Sequence, residues 1–198
     1  MLAPESAEVV MRVAGVVVAL GVLLVTACGG GEPEGAEESA LTVAPSCTPG
    51  TVACTAEEAE TQRLQAQMVE SFWMQLREGD RIFAEGGVDE PTPVLKQSTS
   101  GPYLDFWMQH FRAWKERGNR TEGSRAARIR ISSGPGKEGL DPRLVAEYCE
   151  DSSASMTITA DGREVRDGTR VKGLLYGKVI EGRVKIVDAD SDVVDSCE

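Results

Sequence analysis

The chain has 198 residues, a formal net charge of −11 and a single histidine. That charge argues against nucleic acid as a partner, because phosphate binding needs a basic surface. One histidine also rules out a multi-histidine metal centre, and it leaves His110 as the only candidate base for a serine-type triad.

Residues 1–12 include Glu5 and Glu8, which suit the leading region of an export signal poorly, whereas Met11-Arg12 suits it well. Translation is therefore expected to start at Met11. An apolar run of about fourteen residues follows and ends in Val25-Thr26-Ala27-Cys28. It is too short for a membrane span, which needs about 20 apolar residues. A small residue before the cut and a cysteine after it resemble the bacterial lipobox. That likeness implies cleavage after residue 27, acylation of Cys28 and anchorage on the extracytoplasmic face of a membrane. Two or more acyl chains make a stable anchor, each buried methylene contributing about 0.8 kcal/mol.

Residues 28–54 read as a tether. The stretch 29–60 contains seven glutamates and no Lys or Arg, and opens on three glycines. Such sequence cannot bury enough surface to fold, and about 20 flexible residues span roughly 25 Å. With Cys28 taken by lipid, Cys47, Cys54, Cys149 and Cys197 remain. An even number in an exported chain indicates disulfides. Three pairings are open. Cys47 with Cys54, around Pro49-Gly50, and Cys149 with Cys197 are favoured. No CxxC spacing supports a zinc or redox centre.

The folded domain is expected over 55–198. Thr55 and Glu58 have the spacing of a capping box. A helix is predicted from there to about Glu78, ending at Gly79, with Leu64, Met68, Val69, Phe72, Trp73 and Leu76 on its apolar face. Residues 79–100 read as irregular with a possible helical turn, broken by Pro91 and Pro93. A second long helix is predicted from Pro102 to Arg117, stopped by Gly118-Asn119. From Arg125 the period falls to two: Ala127, Ile129 and Ile131 alternate with Arg128 and Arg130. Residues 134–139 form a loop, and 144–150 and 154–159 form strands. Asp161-Gly162 is a hairpin turn, and 171–180 with 183–187 make a last hairpin about Glu181-Gly182. Helices first and antiparallel strands afterwards predict an α+β fold, with the N-terminal helices packed on one face of a curved antiparallel sheet.

This order, together with Tyr148-Cys149-Glu150-Asp151-Ser152-Ser153 on a middle strand and Gly182-Arg183-Val184-Lys185-Ile186 on the last hairpin, resembles the nuclear transport factor 2-like cone fold. It is similar to actinobacterial lipoproteins that carry such a domain behind an acidic tether. In that family a Trp commonly stands where this chain has Val184. The resemblance implies a fold and an address, and no defined chemistry.

Other patterns in the chain have simpler readings. Gly134, Gly136 and Gly139 fit G-x-G-x-x-G, yet strand-like sequence follows where a phosphate-binding helix should start. Tyr103, Asp105 and His110 are candidates for a cone-fold catalytic group, but Asp105 and His110 lie about 140° apart around a helix. Arg112, Lys115, Arg117, Arg120, Arg125, Arg128 and Arg130 form the basic stretch of an acidic chain, read first as a solvated helix end and strand face, with anionic lipid, cell-wall polymer or the tether as the other readings. Trp73, Trp107 and Trp114 are expected in the core, with contact to an apolar ligand as the other reading. Asn119-Arg120-Thr121 fits a glycosylation sequon, which the lipobox argues against. Arg128 and Arg130 make the open sheet face less apolar and favour a monomer.

The expected function is thus a non-enzymatic envelope lipoprotein that binds a protein or apolar ligand and needs no cofactor. The alternatives are a SnoaL- or ketosteroid-isomerase-type cavity enzyme and a phage or prophage lipoprotein acting in superinfection exclusion.

Overall fold

The computed structural model describes residues 55–197. The apolar run, Cys28, the tether, Cys47 and Cys54 lie outside the described residues. Among the described residues, three helices precede seven antiparallel strands: α1 (Ala56–Ala84), α2 (Pro93–Ser98), α3 (Gly101–Arg117), β1 (Arg120–Glu122), β2 (Ala126–Ile131), β3 (Val145–Asp151), β4 (Met156–Ile158), β5 (Glu164–Val165), β6 (Arg170–Ile180) and β7 (Arg183–Val193). The fold is α+β, as the element order predicts. Among the described residues no helix is long and apolar enough to cross a membrane.

Helix α1 starts on the expected capping box. The Thr55 hydroxyl accepts from the Glu58 N–H, and the Thr55 N–H donates to the Glu58 carboxylate at 2.8 Å. It does not stop at Gly79 but continues to Ala84. The glycine there serves close approach rather than termination: a Cβ on Gly79 would lie 3.0 Å from Nη2 of Arg125. Pro93 opens α2 instead of breaking the chain. It follows the N-cap Thr92, where a missing N–H costs nothing. Helix α3 ends on Gly118 in the left-handed conformation, φ 63°, as expected.

The strands form two sheets, one in the order β2-β3-β6-β7 and a small one in the order β1-β4-β5. Strands β1 and β5 were not predicted. They have three and two residues, too few for any periodicity to register. Strand β7 runs to Val193 rather than Val187, because Asp188–Val193 continue the ladder against Val171–Tyr176 of β6. Their alternation of Asp with small residues suits a solvated edge strand.

The core lies between α1, α3 and the helix-facing side of the larger sheet. Met68, Phe72 and Leu76 of α1 and Tyr103 of α3 meet Ile129, Ala146, Tyr148, Leu175, Val184 and Ile186. Gly177, beside a register shift in β6, lets α1 settle onto the sheet: a Cβ there would lie 2.5 Å from the Met68 sulfur. Ser71 Oγ donates to the Val184 carbonyl at 2.6 Å, and the Val184 N–H donates to Gln67 Oε1 at 3.1 Å. A second cluster, Ile82, Leu95, Met108 and Phe111, joins the three helices.

The β6–β7 turn places Glu181 at φ 54° and Gly182 at φ 79°. Two successive positive φ angles are the signature of the turn that prefers Asn-Gly. A left-handed glutamate costs about 1–2 kcal/mol, while its ion pair to Lys185 is worth little because the Glu181 side chain is 83% exposed. Glu181→Asn is therefore expected to raise unfolding stability by about 1 kcal/mol, read as a higher urea midpoint at unchanged slope.

Candidate functional site

The most unusual chemistry lies where α1, α3, the loop before β2, and β3 converge. Alternation along β3 turns Ala146, Tyr148 and Glu150 toward the helices, so a carboxylate enters the apolar side of the sheet. Glu150 is 7% exposed. Its cross-strand neighbours, Ala127 of β2 and Val171 of β6, offer it no hydrogen bond from their side chains. Its counter-charge comes from Arg125, whose side chain is 10% exposed.

The guanidinium of Arg125 fastens three elements. Nη1 donates to Glu150 Oε2 at 2.8 Å, Nε to Asp80 Oδ1 at 2.6 Å, and Nη2 to the Leu76 carbonyl at 3.1 Å. It also lies over the Trp107 ring, 5.4 Å from the centroid, an attraction that strengthens as water is excluded. Gly79 leaves the space this fork occupies. Tyr103 donates to Gln75 Oε1 at a long 3.4 Å. Three buried polar atoms of the cluster, Glu150 Oε1, Gln75 Nε2 and Trp107 Nε1, have no protein hydrogen-bond partner. Burial pushes the Glu150 carboxyl above its ordinary range; Arg125 opposes the rise and Asp80 adds to it. Burial, reinforced by Glu150, likewise raises the Tyr103 phenol.

Of the predicted site residues, Cys149 and Cys197 form a disulfide with Cα atoms 5.7 Å apart. It draws the C-terminal segment across β6, where the Val194 N–H donates to the Arg170 carbonyl and Arg170 donates to the Asp195 carbonyl. Tyr103, Asp105 and His110 do not converge. Tyr103 is buried, whereas Asp105 and His110 are exposed on α3, with the His110 ring against Phe106. The 134–139 glycines lie in a loop with no helix after it. That loop delivers Lys137 to Asp188 at 2.8 Å and Asp190 at 3.1 Å, over the Tyr176 ring.

The basic stretch does not form one face. Lys115 pairs with Asp89, Arg112 donates to the Asp89 carbonyl, Arg120 pairs with Glu122, Arg130 pairs with Glu147, and Arg125 is internal. All three tryptophans are half-buried; Trp73 meets Phe72 edge-on, and Trp107 and Trp114 pack on Phe83.

Two open grooves flank the Lys137 loop. One of about 750 Å³ is lined by Tyr176, Asp190 and Asp192, the other of about 380 Å³ by Pro102, Leu140, Ile180 and Val187. Neither includes Glu150 or Arg125.

The sequence reading missed Arg125, Asp80, Gln75 and Glu150 as a unit. The signal present was Glu150 itself, a carboxylate at an inward register position of β3. Arg125 was hidden among its basic neighbours.

The chain matches no protein-family model, and no curated protein matches it.

Proposed function

We propose that the chain is an exported lipoprotein, anchored through Cys28, whose folded domain is a non-enzymatic binding or interaction module of the nuclear transport factor 2-like kind, facing the cell envelope. The observation that carries the address is the Cys149–Cys197 bond, since disulfides persist in oxidising compartments. The apolar run ending at Cys28 supports it independently. The non-enzymatic reading rests on Glu150, a carboxylate turned into the core from the sheet, being bonded to Arg125 rather than presented to a substrate.

Glu150 also favours the second reading, a cavity enzyme, because a carboxyl shifted upward by burial is what a general acid requires. Candidate small ketones and lactones turned over at a rate abolished by Glu150→Gln would decide for it.

Intact mass analysis of the product made in a bacterial host that acylates lipoboxes tests the address. The expected species starts at Cys28, carries acyl mass and is lighter by two hydrogens per disulfide. An unacylated chain that retains the apolar run before Cys28 would overturn the proposal.

A further inference from the structure

We infer that the Asp80–Arg125–Glu150 triad is a proton-loading site: Glu150 takes one proton from solvent under mild acid, and the folded domain gains stability as it does.

The charge count comes first. Two carboxylates share one guanidinium at 2.6 and 2.8 Å, so the triad carries an excess negative charge where Glu150 is 7% exposed. That excess sits unevenly. The Asp80 side chain is 27% exposed and partly hydrated, against 9% for Glu150. Glu150 Oε2 is held by Arg125, but Oε1 has no protein partner. An unbonded carboxylate oxygen in low dielectric is costly, and a proton on it removes the uncompensated charge, the larger part of that cost.

Among the described residues, the groups facing Glu150 add no second cation. They are Asp80 from α1, Tyr103 from α3, Arg125 from the loop and Tyr148 from its own strand. Ala127 and Val171 flank it across the sheet. Protonation on Oε1 brings the triad to neutrality, leaves Arg125 with Asp80 and turns an orphan acceptor into a donor.

The direction given by burial agrees, since the folded state holds the Glu150 carboxyl above its ordinary 4.5. The sign follows. A group with a raised folded pKa contributes stability that is fully present below its unfolded pKa and is lost as pH rises through the folded one. Glu147, Asp151 and Asp190 are held low instead, Asp151 at about 2 by Ser153 and Arg170. Their stability is present above the unfolded pKa and is lost only as pH falls through the folded values. Glu150 therefore titrates in a window above theirs.

The test is an NMR titration of the full chain in detergent micelles. Three tryptophans give three indole N–H signals, and the Trp107 ring lies on Arg125. The Glu150 carboxyl carbon and the Trp107 indole are expected to move together, with a midpoint above 4.5. Glu150→Gln should flatten the Trp107 response, and Asp80→Asn should move the Glu150 midpoint to lower pH. A Glu150 carbon that titrates at or below the ordinary value would overturn the inference. So would a Trp107 transition that survives Glu150→Gln, or an Asp80→Asn variant whose Glu150 midpoint stays in place.

Discussion

Arg125→Met is expected to lower the unfolding free energy by about 3–5 kcal/mol, the cost of removing one partner from a buried ion pair. Methionine keeps much of the stem volume, so lost packing contributes little. The loss comes from what the guanidinium leaves behind: Glu150 without a counter-charge, Asp80 without its 2.6 Å partner, and the Leu76 carbonyl without its donor. Arg125→Lys should recover only part, because one ammonium nitrogen cannot reach all of the acceptors that the guanidinium bonds from three separate nitrogens. Arg125→Met with Glu150→Gln should be more stable than Arg125→Met alone, since the stranded charge is then gone. Urea unfolding of the four proteins gives the comparison. Equal stability of wild type and Arg125→Met would mean that the triad does not tie the helices to the sheet.

The position of Arg125 shows where sequence reading reached and where it stopped. Both long helices were legible because capping and periodicity are local. Thr55 and Glu58 announce one start, Gly118 announces one end, and Met68, Phe72 and Leu76 recur at helical spacing. Gly79 was misread because its reason is not local: it admits a guanidinium from a residue 46 positions later in the chain. The lower half of β7 was missed for a related reason. Asp188, Asp190 and Asp192 carry no apolar signal; pairing to β6, the bonded C-terminal segment and the Lys137 ion pairs to Asp188 and Asp190 hold them in a strand. The triad itself was legible only as fragments. A carboxylate on an inward register position is visible in the sequence, but which of seven neighbouring cations answers it depends on tertiary placement.

Replacing Cys149 and Cys197 together by serine is expected to cost about 4 kcal/mol in the chain-entropy account, given the 48-residue separation the bond closes. The loss should also have a location. Strand β7 is the outer strand of its sheet, and beyond Val187 it pairs only with β6. Its other edge is covered near Ile186, where the Ser100 N–H donates to the Ile186 carbonyl, so the upper half has a second support. Below that point the disulfide holds the segment after Val193 against β3, and the Val194 and Asp195 bonds to Arg170 keep it on β6. In the double serine variant, amide exchange should accelerate from Ala189 to Val194 and remain slow at Val184 and Ile186. A reducing agent should reproduce that pattern in the wild type, and the urea midpoint should fall by the same amount in both. Uniform acceleration through α1 and β3 would instead mean that the bond supports the whole domain as one cooperative unit, with β7 no weaker than its neighbours.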